Sequence, residues 1–225
     1  MMTRGAGLIL LVAAIVLAPV SAYADSWGID ISYDKCGSSL GQYDHGMVGV
    51  NGGGDWERNT CLGSEIKHFD NYFLYVNTNY PSDSCHEPVS RKAAYHCGYN
   101  LGRWDVDYAN GQGAHSNVWF LDVEEGRGIP WSGNDSWNSA FLYGLGKGIQ
   151  SETNALIGYY STPSMWSDIT GDWNSGGMGW YATGSIGKPS NGTIDDACKS
   201  AFNGGNYGVT VYQYIVGDFD HDDLC

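Results

Sequence analysis

The chain has 225 residues, with 25 acidic against 11 basic side chains and a formal net charge of −14. That length favours one domain with ample core, and the charge argues against nucleic acid or anionic lipid as partners, because both call for clustered Lys and Arg. Aromatic residues make up 14% of the chain, too many for a solvating disordered segment.

Arg4, the apolar run Leu8–Val20 and the small-x-small pair Ala22 and Ala24 read as a secretion signal over residues 1–24, cleaved before Asp25. The apolar run is shorter than the roughly 20 residues a membrane span needs. A secreted, extracellular product is therefore expected, with no membrane attachment after cleavage and one domain over residues 25–225. A monomer is expected.

Seven short strands follow, each aromatic or β-branched and bounded by Gly, Pro, Asn or Asp. They are Trp27–Ser32, Met47–Asn51, Tyr72–Asn77, Val118–Val123, Leu156–Tyr160, Gly179–Ala182 and Val209–Val216. Helical patterns lie between them. Cys97, Leu101, Trp104 and Tyr108 share one helix face. Trp137, Phe141, Leu145 and Ile149 share another, with Asp135 as candidate N-cap. Pro163 stands where a first helical turn begins. Alternating strands and helices predict an α/β fold of parallel β/α units. A closed TIM-like barrel and an open doubly wound sheet both satisfy the pattern. No strand–GxGxxG–helix unit points to a dinucleotide, and no cofactor is indicated.

Cys36, Cys61, Cys85, Cys97, Cys198 and Cys225 make an even set, read as three disulfides in an exported chain. Pairing neighbours in sequence closes the shortest loops: Cys36–Cys61, Cys85–Cys97 and Cys198–Cys225. No C-x-x-C pair is present, so a zinc site is not indicated. The six histidines show no metal-binding spacing and are read as surface or hydrogen-bonding residues.

The strongest chemical signal is Asp122-Val123-Glu124-Glu125 at the end of an apolar strand. Asp122 and Glu124 are two apart on a strand, so they share a face. In a barrel that end is the mouth where active sites lie. Asp30 ends the first strand, and Asp218, Asp220, Asp222 and Asp223 follow the seventh. If the barrel closes, Asp30 and this terminal cluster share one rim, facing Asp122 and Glu124. Crowded carboxylates leave one protonated beside an ionised partner, the pairing that glycosidic cleavage needs.

Five landmarks in order then resemble the glycoside hydrolase family 25 lysozymes, the Chalaropsis-type muramidases. They are Gly28-Ile29-Asp30-Ile31-Ser32, Phe120-Leu121-Asp122-Val123-Glu124, Gly158-Tyr159-Tyr160-Ser161-Thr162-Pro163, Trp180-Tyr181-Ala182, and Tyr212-Gln213-Tyr214 followed by Phe219-Asp220. The resemblance implies an irregular β/α barrel that cleaves the β-1,4 bond between N-acetylmuramic acid and N-acetylglucosamine in peptidoglycan. It implies Glu124 as proton donor, Asp122 as its partner, and Asp30 and Asp220 as supporting carboxylates. Tyr75, Asn77, Tyr159, Trp180 and Gln213 are candidate cleft residues. The third strand departs from the family pattern, carrying Tyr75-Val76-Asn77 where Tyr-His-aromatic is usual.

Rival readings remain at this level. A glycan-binding protein on the same barrel, or a hydrolase of another extracellular polysaccharide, would share these landmarks. Gly37-Ser38-Ser39-Leu40-Gly41 matches the esterase elbow, yet lacks the flanking strand and helix and reads as a disulfide-tethered turn. Asp218–Asp223 opens like a calcium loop but has Asp223 where an EF-hand needs Gly; Asp218, Asp222 and Asp223 read as a solvated acidic end. Trp56, Trp104, Trp131 and Trp173 are the tryptophans free to stack on sugar, with helix packing the better account of Trp104.

Overall fold

In the computed structural model, residues 26–54, 56–81, 85, 89–126, 131–205 and 207–225 are described. The expected leader at residues 1–24 lies outside them, as does His86. Among the described residues, eight strands close into a barrel in sequential order. They are β1 (Trp27–Ile31), β2 (His45–Gly49), β3 (Tyr72–Thr78), β4 (Val118–Val123), β5 (Leu156–Ser161), β6 (Met178–Ile186), β7 (Val209–Val216) and β8 (Phe219–Leu224). Five helices accompany them: α1 (Leu62–Glu65), α2 (Arg91–Gly111), α3 (Asp135–Thr153), α4 (Pro163–Thr170) and α5 (Asn191–Cys198). The closed barrel, not the open sheet, is the fold.

Strands β1 to β7 pair in parallel. The eighth strand was absent from the sequence reading, and it closes the ring antiparallel to both β1 and β7. A run of Asp-His-Asp-Asp lacks the composition of a strand, and tertiary pairing decides its conformation. The acidic end is thereby corrected: Asp222 and Asp223 are buried, while Asp218 is exposed. The second strand also starts two residues earlier than expected, at His45.

The core lies in two shells. Ile29, Val48, Leu74, Val76, Trp119, Leu121 and Val123 face outward and pack under the helices with Leu101, Phe141, Leu145 and Trp166. Met47, Tyr75, Phe120, Trp180 and Val211 fill the lumen. Alternation along each strand sorts the two sets. Helices α2 and α3 touch backbone to backbone. A Cβ on Gly102 would lie 2.3 Å from the Leu145 carbonyl oxygen, and one on Gly148 would lie 2.2 Å from that of Tyr99.

The helix starts are capped by side chains. Ser90, Thr162 and Ser190 accept from backbone N–H groups of α2, α4 and α5. The cap of α3 is Asn134, one residue before the expected Asp135. The disulfides join Cys36–Cys61, Cys85–Cys97 and Cys198–Cys225, the pairing of sequence neighbours. The last ties the end of β8 to α5. The Gly37–Gly41 segment forms no strand or helix, and Gly37 takes φ 77° in the turn beside Cys36.

Candidate functional site

The C-terminal mouth of the barrel opens into a cleft of about 150 Å³. Asp30, Tyr75, Asn77, Asp122, Glu124, Trp180 and Asp220 all line it. A much smaller hollow of about 20 Å³ adjoins it and shares Asn77, Asp122 and Glu124 as a common wall, continuing to Thr78, Asn79 and Gly126. Glu124 thus stands at the junction of two hollows in one groove. Asp30 pairs with Asp220 across β1 and β8, which puts these two carboxylates on one side of the mouth.

The end of β4 is fixed through its backbone. Three successive carbonyls each accept from a different element. The Thr78 hydroxyl donates to the Asp122 carbonyl, the Ser161 hydroxyl to that of Val123 at 2.7 Å, and the Trp131 indole N–H to that of Glu124 at 2.9 Å. A strand end held from both flanks and from above has little freedom to reorient its side chains. On the neighbouring strand, Asn51 and Asn77 exchange two hydrogen bonds, at 2.8 and 3.0 Å.

A polar chain crosses the floor. The Tyr160 hydroxyl donates to Gln213 Oε1 at 2.8 Å, and Gln213 Nε2 donates to Asp30 Oδ2 at 3.4 Å. Below it, the Trp180 indole N–H donates to Asp222 Oδ1 at 2.8 Å, where no solvent reaches the carboxylate.

Electrostatics follow from this crowding. Burial, then the charge of Asp220, pushes Asp30 well above the ordinary carboxylate range, against a bond from Tyr75 that favours the anion. Burial raises Asp220 too, opposed by the Lys35 ammonium. Burial raises Asp222 well above its usual range, reinforced by Asp30 and opposed by the Trp180 N–H. Tyr160 is pushed up by burial and then by the charges of Asp122 and Glu124, so its phenol stays neutral and donates. Burial and mutual repulsion thus favour the protonated form of the crowded acids at the mouth.

Most residues singled out in the sequence converge here, with one exception among the cleft candidates. Tyr159 faces outward, buried against Trp166 and Trp173 with ring centroids 5.3 and 5.7 Å away. Its neighbour Tyr160 lines the cleft instead. A one-residue step on a strand reverses the face, and nothing in a Tyr-Tyr pair says which ring points inward. Gln213 sits just behind the cleft wall, bonded to two residues that line it. The sequence reading missed Tyr160, Ser32, Asp34 and Lys35 at the mouth, and Asp222 beneath it. The strand period applied to Asp220 would have found Asp222.

Among the tryptophans, Trp104 stacks on Tyr108 and Trp173 on Trp166, so both serve packing. Trp131 borders the site through its bond to Glu124. His45 is one of the hydrogen-bonding histidines: it is buried, its Nδ1 lies 3.0 Å from the Ser26 hydroxyl oxygen, and burial lowers its pKa to about 4.

No family model matches the chain. The chain is 34% identical over 111 residues to a probable GH family 25 lysozyme of Dictyostelium discoideum, a match covering 48% of this chain and 46% of that relative. The shared stretch is thus less than half of the relative's length. Among solved structures, the bacterial lysozyme of Streptomyces coelicolor superposes with a TM-score of 0.61 at 15% identity, covering 88% of this chain and 91% of that one. A family GH25 lysozyme of Aspergillus fumigatus gives 0.61 at 15% identity, covering 89% and 93%. The muramidase of Trichobolus zukalii gives 0.61 at 13%, with the same coverage of 89% and 93%. The chain is thus similar to a probable GH family 25 lysozyme in sequence over about half of its length, and to solved lysozymes in fold over nearly all of it.

Proposed function

We propose that this protein is a secreted glycoside hydrolase, a lysozyme-like muramidase cleaving the β-1,4 bond between N-acetylmuramic acid and N-acetylglucosamine in peptidoglycan. The observation that carries the reading is the wall shared by the two hollows, built from Asn77, Asp122 and Glu124. A glycan laid along the open groove across that wall would bring a glycosidic oxygen to Glu124.

Glu124 gives its proton to the leaving oxygen as the bond breaks, and a water supplies the hydroxyl that replaces it on the anomeric carbon, its second proton restoring the acid. Asp122, on the same strand face, offsets the positive charge that develops on the sugar ring. Asp30 and Asp220 hold the acidic field of the opposite rim. Asn77, Tyr160 and Trp180 shape the floor that receives the ring. Polar groups already fixed by the barrel need not reorganise as charge develops, which is where such sites gain most. The relatives' names support a cell-wall glycan as substrate, and the three disulfides support an extracellular setting.

Replacing Glu124→Gln tests the assignment. Gln keeps the size of the side chain but has no acid proton to give. Hydrolysis of purified walls should fall by about 10²–10⁴-fold, with glycan binding retained. A variant that keeps more than about a tenth of wild-type turnover would overturn the donor role. Wild-type protein that binds walls without releasing reducing ends would favour the non-catalytic glycan binder instead.

A further inference from the structure

Beneath the cleft lies a carboxylate that the reaction above does not use. Asp222 stands on β8 with no exposed surface, inside the barrel. Its Oδ1 accepts the Trp180 indole N–H at 2.8 Å, and its Oδ2 has no hydrogen-bond partner among the described residues. Gly28 of β1 is its cross-strand partner, so Asp30 is the next inward residue along β1. Asp30 carries a second unpartnered buried oxygen, its Oδ1. Two carboxylate oxygens enclosed near each other cannot both belong to anions at modest cost.

The surroundings decide which of the two keeps a proton. Asp30 reaches the cleft and has two donors, Tyr75 and the Gln213 amide. Asp222 has one donor and no access to solvent. One base faces Asp222: the buried His45 imidazole of β2, whose ring fills the space where a side chain on Gly28 would project, and burial lowers its pKa to about 4, so it brings no cation near neutral pH. The other groups facing Asp222 offer none. Trp180 comes from β6, neutral Gln213 from β7, and Asp220 from its own strand. On the outer face, Asp223 is paired with Lys188 at 3.0 Å, which spends the nearest ammonium.

We propose that Asp222 is a positioning residue of the cleft: a buried carboxylic acid that keeps its proton on Oδ2, fixes the Trp180 indole through Oδ1, and leaves Asp30 free to be the anion. The inference rests on the hydrolase reading, since the indole it fixes forms the floor under the reacting sugar. Loss of that proton would set a second negative charge against Asp30 and disturb Trp180. Activity should therefore decline as Asp222 ionises.

The test compares Asp222→Asn and Asp222→Ala with the wild type across the pH range. Asn reproduces the protonated acid: one oxygen accepts from Trp180 and an N–H replaces the O–H. The alkaline limb of kcat/KM should move upward by about half a unit or more in Asp222→Asn. In Asp222→Ala, kcat should drop by about tenfold or more with KM changed little. A second readout needs no turnover. The Trp180 indole N–H resonance should titrate in the wild type in step with the alkaline limb, and stay flat in Asp222→Asn. Superimposable pH profiles, or an indole resonance that ignores pH in the wild type, would overturn the proposal. If the wild type hydrolyses nothing, the hydrolase reading fails, and the indole titration still decides whether Asp222 holds the proton.

Discussion

At the residue scale, the site depends on backbone acceptors as much as on carboxylates. Trp131 reaches Glu124 through the carbonyl, not the side chain. Replacing Trp131→Phe keeps most of the ring and removes only the N–H donor. The Glu124 carbonyl then loses that partner, and the strand end gains freedom to turn. A small misplacement of a reacting group can cost as much as about 10²-fold. We expect kcat to fall by about tenfold in Trp131→Phe with KM within about twofold. Glu125→Gln is the companion variant: Glu125 is exposed and lines neither hollow, so its kinetics should match wild type within about twofold. Equal losses in the two variants would show that the loop after β4 is merely fragile. The carboxylates were legible because Asp122 and Glu124 obey the strand period at the end of an apolar run. Trp131 was legible only as an aromatic, since no sequence pattern predicts that a side chain seven residues on bonds back to a strand carbonyl.

At the element scale, the unusual contact is between α2 and α3. Gly98 and Gly102 on one helix face Gly144 and Gly148 on the other, each pair four residues apart. Each glycine lets the partner's backbone approach where a methyl group would strike it. Gly102→Ala should favour the isolated helix by about 1 kcal/mol. In the folded protein its Cβ would lie 2.3 Å from the Leu145 carbonyl oxygen, backbone that cannot swing aside. The helices must part, and we expect a net loss of about 1–3 kcal/mol in urea unfolding. Gly111→Ala, at a position with open space around it, should gain or stay level. A Gly102→Ala protein as stable as wild type would show that the helices can separate freely. These Gly-x-x-x-Gly pairs could be read from the sequence as close-packing faces, whereas hydrophobic spacing alone gave only the helices. The strands β1 to β7 were legible because a continuous apolar run marks a strand covered on both faces. Strand β8 was not, because its inward Asp220 and Asp222 are polar residues serving a site, and function there overrides strand composition.

At the scale of the whole molecule, the buried acids make stability depend on pH in a fixed direction. Asp220, Asp222 and Glu65 all have raised pKa values in the fold, each chiefly through burial. The folded state therefore holds protons that the unfolded chain releases above its ordinary carboxylate range. Their contribution is fully present below that range and is lost as pH rises through the folded values. His45 acts oppositely. Its folded pKa is about 4, so stability is lost as pH falls from about 6.5 toward 4, by roughly 3 kcal/mol if the shift is fully expressed. The net charge of −14 adds self-repulsion on the alkaline side. The sum is a maximum on the acid side of neutrality. We expect the Tm by calorimetry to be highest near pH 5–6 and to fall steadily toward pH 8–9. Asp222→Asn separates the buried acid from the general charge. It removes an ionisation that only the folded state resists, so it should raise Tm at pH 8 by at least about 3 °C, close to 1 kcal/mol for a chain of this size. At pH 5, where wild-type Asp222 already carries its proton, the two proteins should melt together. A Tm that differs by the same amount at both pH values would mean that Asn alters packing, not charge, and that the proton on Asp222 contributes nothing to the stability profile.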